Sequence, residues 1–254
     1  MGTGAITQYV DAAQVVLYVF WVFFAGVIIY LIRENKREGY PLQSANGTVD
    51  GWPPRPEPKT YLLEDGRAVQ VPNDTVSPQV LQAESVHPWD GSPIDPVGDP
   101  LLAGVGPGSW SDRADVPEHT FEGGIKIVPL RTLPDYAVSV RDRDPRGLPV
   151  IGGDGETAGT VVDLWVDQSE AIFRHLEVAV TLSDGATRNV LLPINFCRIT
   201  RRGVRVASLY AAQFAGVPGT RDPQQVTMLE EEKIMAYYGA GLLYADPKRA
   251  EPLF

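Results

Sequence analysis

The sequence predicts one membrane-spanning α-helix at the N-terminus, followed by a mainly-β cytoplasmic domain built as a small antiparallel barrel, closed or half-closed, and then a C-terminal helix. Three observations predict it. An uncharged run fills residues 12–32, short runs with period-two character recur after Ile125, and a capping box precedes a helical pattern at Thr227.

The apolar run AAQVVLYVFWVFFAGVIIYLI carries Gln14 as its one amide and no charge. At about 1.5 Å per residue a helix of this length reaches about 32 Å, against about 30 Å of bilayer hydrocarbon. It does not resemble a cleaved leader. The preceding MGTGAITQYVD has no Lys or Arg, the run is too long, and no A-x-A site follows. One flank offers only Asp11, whereas RENKRE supplies Arg33, Lys36 and Arg37, so the positive-inside rule places residues 1–11 outside and the rest in the cytoplasm. The same three cations suit anionic phospholipid head groups, at about 1 kcal/mol each. Tyr9, Tyr18, Trp21, Tyr30 and Tyr40 are aromatics suited to the interfaces or to neighbouring helices. A lone span, taken as 12–36, is an anchor or one helix of a larger complex.

Residues 37–108 are expected to be an extended segment lying over a partner surface, because 12 of the 22 prolines fall in 41–110. Within it YLLEDGRAVQV reads as a hairpin turning at Asp65-Gly66. The β domain is assigned to 109–225. Its runs KIVPL, YAVSV, GTVVDLWV, HLEVAVTL, RNVLLPI, CRIT and VRVASL are separated by turn chemistry such as DRDPRG, SDG and RRG. The C-terminal helix and tail take 226–254. Thr227 and Glu230 form the capping box, Leu229, Ile234, Tyr238 and Leu242 recur at helical intervals, and Gly239 and Gly241 weaken the helix or permit close packing.

Several function classes are excluded. Acids outnumber bases 32 to 22, a net charge of −10, which is no footprint for nucleic acid. The single cysteine, Cys197, rules out an internal disulfide and a cysteine zinc cluster and is expected to fill core space. The three histidines, at 87, 119 and 175, have no ligand spacing, and no G-x-S-x-G or phosphate loop occurs. GVGPGS and IGGDGETAG are turns. NGT and NDT match glycosylation sequons but fall on the cytoplasmic side. Nothing indicates an enzyme.

The stretch DLWVDQSEAIFR threads acids through apolar residues. Strand alternation over 160–167 would put Asp163, Trp165 and Asp167 on one face and Val162, Leu164 and Val166 on the other. If the core lies under the latter, the acids face outward. If QSEAIFR forms a helical turn, Glu170 and Arg174 stand four apart and can pair.

The chain resembles the H subunit of the purple-bacterial photosynthetic reaction centre. The likeness rests on RENKREGYPL directly after the span, then PKTYLL, GVGPGSW, RADVPE, KIVP, GLPV, GTVVDLWVD, DGATR, LLP, TMLEEEKI, GLLYA and PKR, in order along nearly the whole chain. The middle section resembles a PRC-type barrel. The resemblance implies an accessory subunit in the intracytoplasmic (inner) membrane with a periplasmic N-terminus, capping and stabilising the L and M subunits and lying near light-harvesting antenna subunits. Bacteriochlorophyll, bacteriopheophytin, quinones, non-haem iron and carotenoid are then held by the partners and none mainly by this chain. It also implies proton delivery to the secondary quinone. Carried over position by position, Asp167 and Glu170 fall on proton-pathway positions, Arg174 on the adjacent base, and Glu118 on a further acid near the quinone. The family's surface acid and two histidines are absent, because Thr120, Glu122 and Gly124 stand there. His119 and Glu122 are therefore expected to receive protons instead. A different outcome is a membrane-anchored PRC-barrel scaffold that conducts no protons.

Overall fold

The computed structural model describes residues 4–7, 9–37, 51–64, 66–73, 80–89 and 91–249. The chain divides into two compact units, Met1–Ser77 with Trp89–Gly91, and Pro78–Pro88 with Ser92–Phe254. Tyr40, Asp65, the NGT sequon and the last two residues of NDT lie outside the described residues.

In the first unit, α1 (Ala12–Asn35) is long and apolar enough to cross a membrane, and none of its residues is buried. Gln14 has a local purpose. Asp11 Oδ1 accepts the Gln14 N–H at 2.8 Å, and Gln14 Oε1 accepts the Asp11 N–H at 3.3 Å, which satisfies two donors at the helix start. Phe20, Trp21 and Phe24 pack as an aromatic group on the helix, with centroids 5.6–6.0 Å apart. A short antiparallel hairpin follows, β1 (Lys59–Leu62) with β2 (Ala68–Val71), and Gly66 takes the positive φ its turn needs.

Two of the three juxtamembrane cations are not available to head groups as expected. Lys36 and Arg37 are buried. Lys36 Nζ donates to the carbonyls of Gly51, at 2.7 Å, and Pro53. Arg37 pairs in bidentate fashion with Glu34, both contacts at 3.1 Å, and donates to the carbonyls of Glu57 and, at 3.0 Å, Val71. The reason is backbone supply. Residues 51–58 form no ladder, so their carbonyls take donors from side chains. Arg33 stays exposed.

In the second unit, β3 (Ala83–Ser85) pairs antiparallel with β4 (Ile94–Pro96). The main sheet holds seven strands: β5 (Ile127–Pro129), β6 (Pro149–Ile151), β7 (Thr157–Asp167), β8 (Ile172–Thr181), β9 (Thr187–Pro193), β10 (Cys197–Thr200) and β11 (Gly203–Val206). Their order is β10-β11-β6-β7-β8-β9, with β5 also on β7. The long β7 holds β6 along its first half and β5 at its end. One pair departs from the expected antiparallel pattern: β11 lies parallel to β6, Val204 opposite Val150. No pairing closes the sheet among the described residues. Gly185, at positive φ, and Asp184, which accepts the Ala186 N–H at 2.9 Å, form the β8–β9 turn from the SDG signal.

The core contains Val150, Val161, Leu164, Leu176, Val178, Leu192, Val204, Phe214, Ile234 and Tyr238, all buried. Cys197 packs against it, and burial pushes its thiol up to about 11, so it remains an unreactive filler. The helix α2 (Met228–Tyr244) begins at the capping box, with Thr227 Oγ1 accepting from Glu230 N–H at 3.1 Å and Glu230 Oε2 from Thr227 N–H at 2.9 Å. Ile234 and Tyr238 point inward, whereas Leu242 is exposed. The glycines serve close packing: a Cβ on Gly239 would lie 2.3 Å from the Pro107 carbonyl oxygen, and one on Gly241 2.5 Å from that of Ser208. Gly239→Ala is accordingly expected to destabilise the protein by about 1–3 kcal/mol through overpacking. A lowered thermal midpoint checks this, and an unchanged one would mean that the helix retreats without cost.

Candidate functional site

The β7–β8 hairpin brings acids together in three places. Its geometry corrects two expectations. Register shifts at 161–163 and 165–166 break the alternation of β7, so Val162 is 44% exposed while Asp163, Leu164, Trp165, Val166 and Asp167 are all buried. The acids do not face outward from a core under Val162. One face of the strand meets the core, and over the other the turn 130–132 brings Arg131 onto Asp163. Residues 168–171 form a hairpin turn ending at Ala171, φ 53°, and not a helical turn. Glu170 is therefore not paired with Arg174, which lies in β8 and reaches Glu231 of α2 at 3.3 Å.

The first assembly surrounds Asp167, which is 1% exposed. Its Oδ1 accepts the backbone N–H groups of Ser169, at 3.0 Å, and Glu170, at 3.1 Å. Its Oδ2 is buried and makes no hydrogen bond, and Lys126 Nζ stands 3.6 Å away. The same ammonium binds Glu118 Oε1 at 3.2 Å. Lys126 thus bridges a buried carboxylate to one that is 41% exposed. The hydrogen bond to Glu118 leads in raising the Lys126 pKa, opposed by partial burial and aided by the charges of Asp167 and Glu170. Lys126 has no signal of its own in the sequence, because it arrives through the pairing of β5 with β7, Ile127 opposite Asp167.

His119 and Glu122 are both exposed on the loop before β5, where His119 bridges Ile125 and Thr120 accepts from Gly123. Glu122 lines a cleft of about 650 Å³ with Thr120, Phe121, Gly124, Tyr136, Gln168 and Ser169. The cleft therefore runs from the loop to the turn that carries Glu170. His119 is not among its lining residues.

The second assembly has buried acids and a cation that reaches solvent. Asp163 and Glu177 stand opposite each other across β7 and β8, each 6% exposed at the side chain, and Arg131 NH1 binds both, Asp163 Oδ2 at 2.9 Å. Trp165 Nε1 donates to Glu177 Oε2 at 3.0 Å and Asn189 Nδ2 to Oε1 at 2.7 Å. Both oxygens of Glu177 thus have donors, and the network ties β7, β8, β9 and the turn 130–132 together.

The third assembly joins Glu231 to Arg174 and His175. Burial pushes the Glu231 carboxyl up, but the facing His175 imidazole and Arg174 guanidinium outweigh it and hold it below the usual value. A carboxyl depressed in the folded state contributes stability that is present above its unfolded pKa and is lost as pH falls through the folded one. Glu231→Gln is therefore expected to flatten the fall of thermal midpoint below about pH 4. An acid limb identical to that of the parent would show that the pair adds nothing.

Two family models match the chain. One describes the photosynthetic reaction centre H-chain N-terminal region and matches residues 4–132, just over half of the sequence. The chain belongs to the reaction centre H-chain family. The other describes the PRC-barrel domain and matches residues 138–213. In this H chain the Asp167 assembly combines both regions, since Glu118 and Lys126 come from the first match and Asp167 and Glu170 from the second. The mainly-β architecture with one apolar N-terminal helix agrees with both matches, and the protein is a membrane-anchored subunit of a photosynthetic reaction centre.

Proposed function

We propose that this H chain caps the cytoplasmic face of the L and M subunits, stabilises the complex and conducts protons to the secondary quinone. The observation that carries this is the Asp167 assembly: a buried carboxylate oxygen without a hydrogen bond, joined through Lys126 to a partly exposed Glu118.

The chemistry follows from what the acceptor needs. A quinone that receives two electrons must take two protons, yet its pocket must exclude bulk water to preserve the one-electron intermediate. Protons then travel along titratable groups and ordered water. Buried acceptors that lack a fixed donor are suited to receive water-borne protons, and clustered acids titrate as one unit. In this account Glu122 and His119 receive protons at the surface. Glu118, beside Lys126, and Glu170, on the turn next to Asp167, pass them on, and Asp167 delivers them inward. Lys126 keeps the cluster from accumulating negative charge, and Arg174 holds the neighbouring Glu231. The cytoplasmic side for this domain rests on the charge asymmetry about the span. Pigments, quinones and non-haem iron belong on this account to the partner subunits, with antenna subunits adjacent, and the chemistry of light capture is theirs. Exposed Arg33 is left as the one juxtamembrane cation for anionic lipid.

A second reading, a PRC-barrel scaffold without proton conduction, draws on the Arg131 network, whose fixed donors on Asp163 and Glu177 suit a structural role. Both readings meet their first test in isolation of the tagged full-length protein from its native membrane. Co-purified bacteriochlorophyll-containing subunits are the expected result, and isolation only with unrelated partners would overturn the assignment to L and M.

A further inference from the structure

We propose that His175 and Glu231 form a second proton-binding site, a hydrated pocket distinct from the Asp167 assembly and holding one exchangeable proton. His175 is 1% exposed; its Nδ1 is buried without any partner, and its buried Nε2 has only the Glu231 carboxylate, 3.3 Å away and poorly aligned for a hydrogen bond. A buried imidazole nitrogen left unsatisfied is costly, and the ring lines a cavity of about 230 Å³ from which water could approach it. Several waters fit, at about 30 Å³ each.

The surroundings fix what such water would do. Glu231 Oε1 on α2 stands 3.3 Å from His175 Nε2 and the same distance from Arg174 NH2. Among the described residues that line this pocket, these are the charged groups beside the ring. Opposite it on β7 is Trp165, on β9 Pro193, and the next turn presents Ile194 and Asn195, all uncharged. A proton taken from bulk solvent and carried as hydronium by pocket water adds to the ring nitrogen that lacks a hydrogen, leaving neutral water and an imidazolium against the Glu231 carboxylate. Return of the same proton to water restores the neutral ring, and no other reactant is consumed. The facing imidazole first, and Arg174 after it, outweigh burial and hold the Glu231 carboxyl below its usual value, so the exchangeable proton is assigned to the ring. The use of this site in loading protons near the quinone rests on the function proposed above. Its existence does not.

The test is a titration of ring ¹⁵N resonances in the full-length protein in detergent. Half-buried His87 and exposed His119 are first replaced by glutamine, so that His175 is the sole histidine. Over about pH 5–8, the range in which histidine changes charge, the ring signals are expected to move from imidazolium to neutral positions. A parallel sample with His175→Gln and labelled glutamate should show the Glu231 carboxyl titrating at higher pH than in the parent. A ring that remains one neutral tautomer throughout, or a Glu231 titration unmoved by His175→Gln, overturns the site. Proton uptake through Asp167 and Glu170 is measured separately, so either result can fail while the other stands.

Discussion

Arg131→Met is expected to lower the stability of the folded chain by about 3 kcal/mol, the low end for stripping one partner from a buried ion group. The low end applies because Arg131 itself is 42% exposed and solvent screens part of its charge. What remains is severe. Asp163 and Glu177 sit directly opposite on neighbouring strands, nearly without solvent, and lose the cation that both share. Arg131 also donates to the Pro223 carbonyl at 2.7 Å, which ties the approach to α2 onto the sheet. Urea denaturation followed by tryptophan fluorescence measures the loss, with Trp165 beside Glu177 as the local reporter. Adding Glu177→Gln to the variant should recover part of the loss by removing one buried charge. A single variant as stable as the parent would mean that the carboxylates are relieved some other way.

The local devices were legible in the sequence because each depends on residues a few positions apart. The span, the Thr227 capping box and the turns at Asp184-Gly185 and 201–202 all appear where their residues require them. Strand burial was less legible. Period-two alternation assigns one face to the core, but β7 carries two register shifts and is covered on both sides, so Asp163 and Asp167 are as buried as Leu164. The helical pairing of Glu170 with Arg174 failed for a related reason, since four residues suffice for a hairpin turn once Ala171 takes a positive φ. Lys126, Arg131 and Glu231 have no signal as partners because each reaches its counter-charge, Asp167, Asp163 and Arg174 respectively, across a sequence separation of dozens of residues. Lys36 and Arg37 looked like lipid contacts only while the carbonyls of residues 51–57 and of Val71 were out of view.

The largest functional effect is expected from Asp167→Asn combined with Glu170→Gln. Both changes keep size and hydrogen bonding close to the original: the asparagine carbonyl can still accept the two turn N–H groups that Asp167 Oδ1 accepts now. What they remove is the capacity to take and release a proton. A positioned proton-transfer group contributes about 10²–10⁴-fold, so proton uptake coupled to the second electron transfer should slow by about 100-fold or more. The first electron transfer, which needs no net proton, should keep its rate, and this separates a blocked pathway from a damaged complex. The decisive measurement is flash-induced proton uptake by the assembled complex, recorded with a pH-indicating dye for the parent and the double variant. Slowed uptake with an intact first electron transfer is the result expected of a chain whose acids carry protons inward. Uptake at the parental rate would contradict that role and leave Asp167 and Glu170 as structural residues alone.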